Sequence, residues 1–146
     1  MKPSILVVDD EAGVRSALSG VLRDEGYDVE TVPSGEACLD RATRAPFDLI
    51  VGDLSFISQT LVWPAIVPLL KDGGDLLMLV KPQFELQPGQ IGKGGLVKES
   101  ASYALVRERI TRTCVDNGLT MLDYFESAIT GGDGNREFFV WAKRAP

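Results

Sequence analysis

Residues 47–53 read FDLIVGD, an apolar and β-branched run that stops on a glycine and an aspartate. A strand buried on both faces has this pattern, and the polar stop puts Asp53 at its carboxyl end. The same grammar recurs on either side. Upstream, Ser4–Val8 runs into Asp9-Asp10, and downstream Leu76–Val80 runs into Lys81-Pro82. Three neighbouring strands would therefore present carboxylates and a lysine at one end of a sheet, where open α/β sheets place their ligands.

The segments between these strands carry helical spacing. Val14, Ala17, Leu18, Val21 and Leu22 form a stripe that closes at Gly26, Asp28–Val32 reads as a strand, and Ser34–Arg44 as a helix after Pro33. Ser58 can cap a helix reaching Leu70 despite an internal proline, with Gly73-Gly74 as its stop. Residues 83–97 hold four glycines and a proline without apolar periodicity, which predicts a functional or mobile loop. Tyr103, Val106, Ile110 and Cys114 mark a long helix ending at Asn117-Gly118. Strands over Leu119–Tyr124 and Glu137–Ala142 come next, separated by the turn-rich stretch Thr130–Asn135. A short turn can join only antiparallel strands, whereas the earlier strands need right-handed parallel crossovers. The expectation is one α/β domain over residues 1–146, a three-layer α/β/α sandwich around a mostly parallel six-stranded sheet. Its predicted order is 2-1-3-4-6-5, with strand 6 antiparallel.

Composition narrows the chemistry. The chain is 45% hydrophobic and 25% charged, the balance of a globular protein. Fifteen Lys and Arg against 21 Asp and Glu leave a net charge of −6, so nucleic-acid binding by bulk electrostatics is disfavoured. Histidine is absent, which removes imidazole acid–base work and leaves carboxylates and lysines as candidates. Cys38 and Cys114 lack metal-binding or redox spacing and read as buried fillers in a reducing compartment. No apolar run is long enough for a membrane span, which predicts a cytoplasmic protein with no membrane partner.

Longer strings carry two family resemblances. ILVVDDE (5–11), VPSGEACL (32–39) and FDLIVGDL (47–54) make residues 1–52 resemble the flavodoxin-like receiver domain of response regulators. That resemblance implies weak Mg²⁺ binding by Asp9, Asp10 and Asp53, with Asp53 as phosphoacceptor. From Asp53 onward, DLSFIS, KPQFE (81–85), GKGGLVK (92–98) and AITGGDGNREFFVWA (128–142) resemble the haemolysin-A branch of the Rossmann-like FtsJ ribosomal RNA methyltransferases. Residues 53–146 carry that match. It implies ribose 2′-O methylation by a Lys-Asp-Lys-Glu tetrad, three of whose members fall on Asp53, Lys81 and Glu137. The first catalytic lysine is missing, and Asp9-Asp10-Glu11 stands where that family has a glycine-rich S-adenosylmethionine loop.

Taken together the strings predict an engineered chimera, joined between Phe47 and Asp53, to test exchange between flavodoxin-like and Rossmann-like folds. On that expectation the protein is not an enzyme and its Asp53–Lys81–Glu137 site is an inactive remnant. It requires no cofactor beyond weak Mg²⁺, binds no S-adenosylmethionine, and has no partner, with nucleic acid unlikely. The alternatives are a receiver-like phosphoacceptor module and an S-adenosylmethionine-dependent RNA ribose methyltransferase. For Asp9 and Asp10 the plainer role is capping a helix N-terminus; for Lys81 it is an ion pair with Asp53. The loop GQIGKGG (89–95) could cradle phosphate through Lys93 and its amides.

Overall fold

The computed structural model describes residues 2–41 and 46–146. Its sheet has the order β2-β1-β3-β4-β6-β5. The strands are β1 (Ser4–Asp9), β2 (Asp28–Val32), β3 (Phe47–Asp53), β4 (Leu70–Val80), β5 (Leu119–Glu126) and β6 (Phe138–Arg144). β1 pairs in parallel with β2 and β3, β3 in parallel with β4, and β6 runs antiparallel to both β4 and β5. The expected six-stranded order, with its antiparallel sixth strand, is what the chain adopts.

Alternation along the strands divides the apolar residues between two faces. Leu6, Val8, Ile50, Leu76, Met78, Val80, Val140 and Ala142 belong to the large core. Two helices close over it. Val62, Trp63 and Ile66 come from α2 (Gln59–Ile66), and Val106, Ile110 and Cys114 from α3 (Ser102–Asp116). Among the described apolar residues the opposite face buries Ile5, Val7 and Val29, against Leu18 and Leu22 of α1 (Ala12–Asp24), with Leu49 and Val51 partly covered. Right-handed crossovers explain the asymmetry: the single step from β1 leftward to β2 puts α1 on one face, and every later rightward step goes to the other. Among the described residues, α1 is the helix on its face.

Several local expectations are corrected. The α1 stripe is only half buried, since Val14 and Val21 are exposed. The helix expected over Ser34–Arg44 is a short 3-10 segment, Glu36–Arg41, and its end falls outside the described residues. α2 stops at Ile66 and continues as a 3-10 turn through Val67–Leu69, because Pro64 and Pro68 remove the amides that an α-helix would need. β4 begins at Leu70, not Leu76, and takes Gly73 and Gly74 into the strand, with a register shift opposite Phe47 and Leu49. Gly73 has φ +75°, and a side chain on Gly74 would meet the Lys71 carbonyl, so the two glycines form the irregularity and do not stop a helix. The 83–97 loop is ordered by three 3-10 turns and a bridge between Ile91 and Val97.

Candidate active site

Strand register assembles the cluster that the sequence singled out. Asp9 lies opposite Asp53 in the β1–β3 ladder. Val80 pairs with Phe138, so Lys81 and Glu137 emerge side by side where β4 leaves the sheet and β6 enters it. The Lys81 ammonium sits 2.6 Å from Asp53 Oδ1 and donates to Ser55 Oγ at 2.9 Å. Its side chain is 13% exposed, and that of Asp53 is 43% exposed. Most of the cation is sealed while its counter-ion remains in reach of solvent.

Glu137 is buried at 9% exposure. Burial lifts its carboxyl above the ordinary glutamate range; the Lys81 charge opposes this, and Asp53 and Asp133 add to it. The carboxylate lies against the Gly131 backbone so closely that a methyl group there would come 2.5 Å from Oε2. A side chain at that glycine would push the Glu137 carboxylate aside. Asp133 is held in turn by Gln83 Nε2 and by the amide and side chain of Asn135. Asn135, 1% exposed, also accepts from the Val97 amide and donates to the Gly95 carbonyl. One buried amide thus locks the 92–98 loop to the turn before β6.

Asp9 and Asp10 accept backbone amides, but neither caps α1, whose first turn has no side-chain cap. Asp9 Oδ1 accepts from the Glu11 amide, and Asp10 Oδ2 accepts from the Ser55 amide, both at 2.8 Å. Burial raises the Asp9 carboxyl above its ordinary range; the Glu11 amide opposes that, and Asp53, Asp10 and Glu11 reinforce it. Among the described residues no group of three His, Cys, Asp or Glu side chains is placed to hold a metal ion. Each carboxylate of the expected Mg²⁺ set is engaged elsewhere, Asp9 by the Glu11 amide, Asp10 by the Ser55 amide and Asp53 by the Lys81 ammonium. Lys93 sits in a Gly94-Gly95 turn, with both glycines at positive φ.

Three functional-looking residues escaped the sequence reading. Phe56 is 89% exposed, has φ +63° in the left-handed region, and meets the Phe84 ring at 5.1 Å. An exposed aromatic held in that conformation, next in sequence to the Ser55 that bonds Lys81, is local backbone strain. Ser55 and Glu85 join it on the two loops after β3 and β4. A cavity of about 340 Å³ opens under α1, with Asp9 and Asp53 at its polar end and Leu49, Val51, Leu77, Leu79 and Phe139 along its wall.

The FtsJ-like methyltransferase family model matches residues 10–144. The chain belongs to this family. It is 38% identical over 96 residues to the 16S/23S rRNA (cytidine-2′-O)-methyltransferase TlyA of Mycobacterium tuberculosis, a match covering 66% of this chain and 36% of that protein. A solved structure provisionally named a hemolysin, from Streptococcus thermophilus, superposes over 99% of this chain and 60% of its own, with TM-score 0.84 and 28% identity. The chain spans about a third of the length of the curated FtsJ-type relative. A shorter match, 48% identical over 54 residues, links it to a protein-glutamate methylesterase of Anaeromyxobacter dehalogenans, over 37% of this chain and 16% of that protein.

These findings correct the reading of the chain as a chimera. One family model runs unbroken through residues 47–53, where a join was expected, and one solved relative covers both sides of it. The expectations of an engineered chimera and of a phosphorelay receiver fall with the join. The expectations that the chain is no enzyme and that nucleic acid is an unlikely partner do not stand beside an FtsJ-type relative named for acting on ribosomal RNA. No helix among the described residues is long and apolar enough to cross a membrane.

Proposed function

We propose that this chain carries out FtsJ-like ribose 2′-O methylation of ribosomal RNA, with Asp53, Lys81 and Glu137 handling the acceptor hydroxyl. The observation that carries this reading is the Lys81 ammonium, held by Asp53 and Ser55 beside a carboxyl that burial has made more basic. A ribose hydroxyl is a poor acid and gains negative charge as it attacks. A fixed cation stabilises that charge, and a carboxylate of raised basicity is better able to take up the proton. Asp53 fixes where Lys81 points. The exposed Phe56 ring offers a stacking surface for an unpaired base, the form in which RNA is commonly read by sequence.

The methyl donor of the family, S-adenosylmethionine, carries an ammonium, a sulfonium and a carboxylate. Asp9 and Asp53 suit its two cations. The first-turn amides of α1, which have no side-chain cap, suit its carboxylate, and Gly13 has open space around it. The expectation that this cofactor is refused set the like charge and side-chain bulk of Asp9 and Asp10 against its carboxylate. When bound, it supplies an electrophilic methyl group. The neighbouring carboxylates still oppose its anionic end, so the affinity expected is modest.

Transfer of labelled methyl from S-adenosylmethionine to ribosomal subunits tests the reading. Label recovered as a 2′-O-methylated nucleotide and lost in Lys81→Met supports it. An unlabelled product with wild-type protein at saturating donor overturns it.

A further inference from the structure

The two loops that carry the site are sewn together by a carboxylate remote from the reacting groups. Glu85 lies on the loop after β4, four residues past Lys81, and its side chain is 1% exposed. It reaches the start of α2, where Oε2 accepts from the Gln59 amide at 2.8 Å and Oε1 accepts from Ser58 Oγ. α2 is thus capped by its own Ser58, which accepts from Thr60, and by a carboxylate from the loop after β4. Arg109 of α3 holds the same residue from behind, with Nη1 on the Glu85 carbonyl at 3.1 Å and Nε 3.7 Å from Oε1. Gln59 extends the tie, because its Nε2 donates to the Leu79 carbonyl of β4 and its Oε1 accepts from Trp63.

The segment so fixed is short. Between Asp53 and the capped Ser58 lie only Leu54, Ser55, Phe56 and Ile57, including the hydroxyl that accepts from the Lys81 ammonium and the residue at positive φ. A turn carrying a left-handed phenylalanine relaxes unless both ends are pinned. One pin is the Asp10–Ser55 hydrogen bond, and the other is Glu85.

We propose that Glu85 is a positioning residue, holding the 54–58 turn so that Ser55 and Asp53 fix the Lys81 ammonium. The inference deepens the methyltransferase reading and rests on it for its kinetic arm only. Removing the pin frees the turn, loosens the Asp53 and Ser55 contacts of the Lys81 ammonium, and displaces the cation from the acceptor hydroxyl. The isosteric amide restores most of the geometry: its oxygen still accepts from Gln59, and its NH₂ donates to Ser58.

The test combines NMR of the Lys81 ammonium in nitrogen-labelled protein with methyl-transfer kinetics on wild type, Glu85→Ala, Glu85→Gln and Ser58→Ala. In Glu85→Ala the Lys81 Nζ resonance moves to the position of exposed lysines, and kcat falls about 100-fold with KM for RNA nearly unchanged. Glu85→Gln recovers most of both, and Ser58→Ala shows a smaller change in the same direction. Should Glu85→Ala fail to fold, the Ser58→Ala and Glu85→Gln spectra decide alone. A Lys81 resonance unmoved in Ser58→Ala and in every folded Glu85 variant overturns the proposal, as does a loss of melting temperature with no change at Lys81. If wild type transfers no methyl while the Lys81 resonance still responds, the functional reading fails and the positioning role stands.

Discussion

The two faces of the sheet are made from the same six strands and are treated very differently. One is sealed under α2 and α3, with Ile50, Leu76, Met78, Val140 and Trp63 fully buried. The other has α1 over β1 and β2, with Leu49 and Val51 of β3 partly covered. Beyond it Leu77, Leu79 and Phe139 are half covered, while Trp141 and Phe125 remain exposed. Parallel sheets ordinarily bury both faces. Here the stability of the chain rests on one face, while Asp53, Lys81 and Glu137 stand on the strand positions that belong to the other. The Asp53–Lys81–Glu137 cluster thus belongs to the face that α2 and α3 leave uncovered.

Truncations at matched positions would break this contrast if it is wrong. Ile50→Ala, on the sealed face, should cost about 2–5 kcal/mol in urea unfolding, and Leu77→Ala, on the open face, about 1 kcal/mol. Equal losses would show that the open face is packed after all. A subtler strain on the sealed side comes from Gly52→Ala. The added methyl would lie 2.6 Å from Met78 Cε and 3.0 Å from the Val8 carbonyl. An expected loss of about 1–3 kcal/mol should shrink when Met78 is shortened to alanine in the same chain.

Acidity separates the faces next. Glu137 has its folded-state pKa raised by burial, so its contribution to stability is full below the ordinary glutamate range and is lost as pH rises through the raised value. Glu137→Gln should flatten that part of the stability–pH curve and stabilise the protein at neutral pH, while abolishing methyl transfer. Asp48 behaves in the opposite sense. The Ser4 amide and Lys71 hold its carboxyl below the usual range, so its contribution is present at neutral pH and fades as the pH falls toward that lowered value. The smallest effect is expected at Trp141, where replacement by threonine should change unfolding free energy by about 0.5 kcal/mol or less.

How much of this could be read from the chain depends on what each residue answers to. Strand order was legible because strings such as FDLIVGD and LLMLV are dictated by burial, and because a short turn between β5 and β6 permits only antiparallel pairing. Lys81 and Glu137 were legible through family strings, and the β4–β6 register then brought them together. The 34–44 helix and the start of β4 were misread, since proline and glycine mark the end of a helix but leave the next element undetermined. Phe56, Ser55 and Glu85 were invisible for a different reason: their roles come from contacts between loops, which no periodicity encodes. Asn135 had a signal, a GGDGN turn of the kind where a side-chain amide replaces backbone partners, but its bond to Gly95 spans 40 residues. The supposed join shows the limit of strings that match locally, because two short resemblances cannot register that one backbone carries both.

Trp63 and Trp141, the two indoles of the chain, lie on opposite sides of the sheet, one sealed against Gln59 and the other wetted beside Asp75. Ultraviolet excitation should therefore give two overlapping emissions, a bluer one from hydrocarbon surroundings and a redder one that iodide quenches. The molecule carries its own optical gauge for each side of the sheet. A melt followed in both bands would report whether the sealed layer and the open layer come apart together.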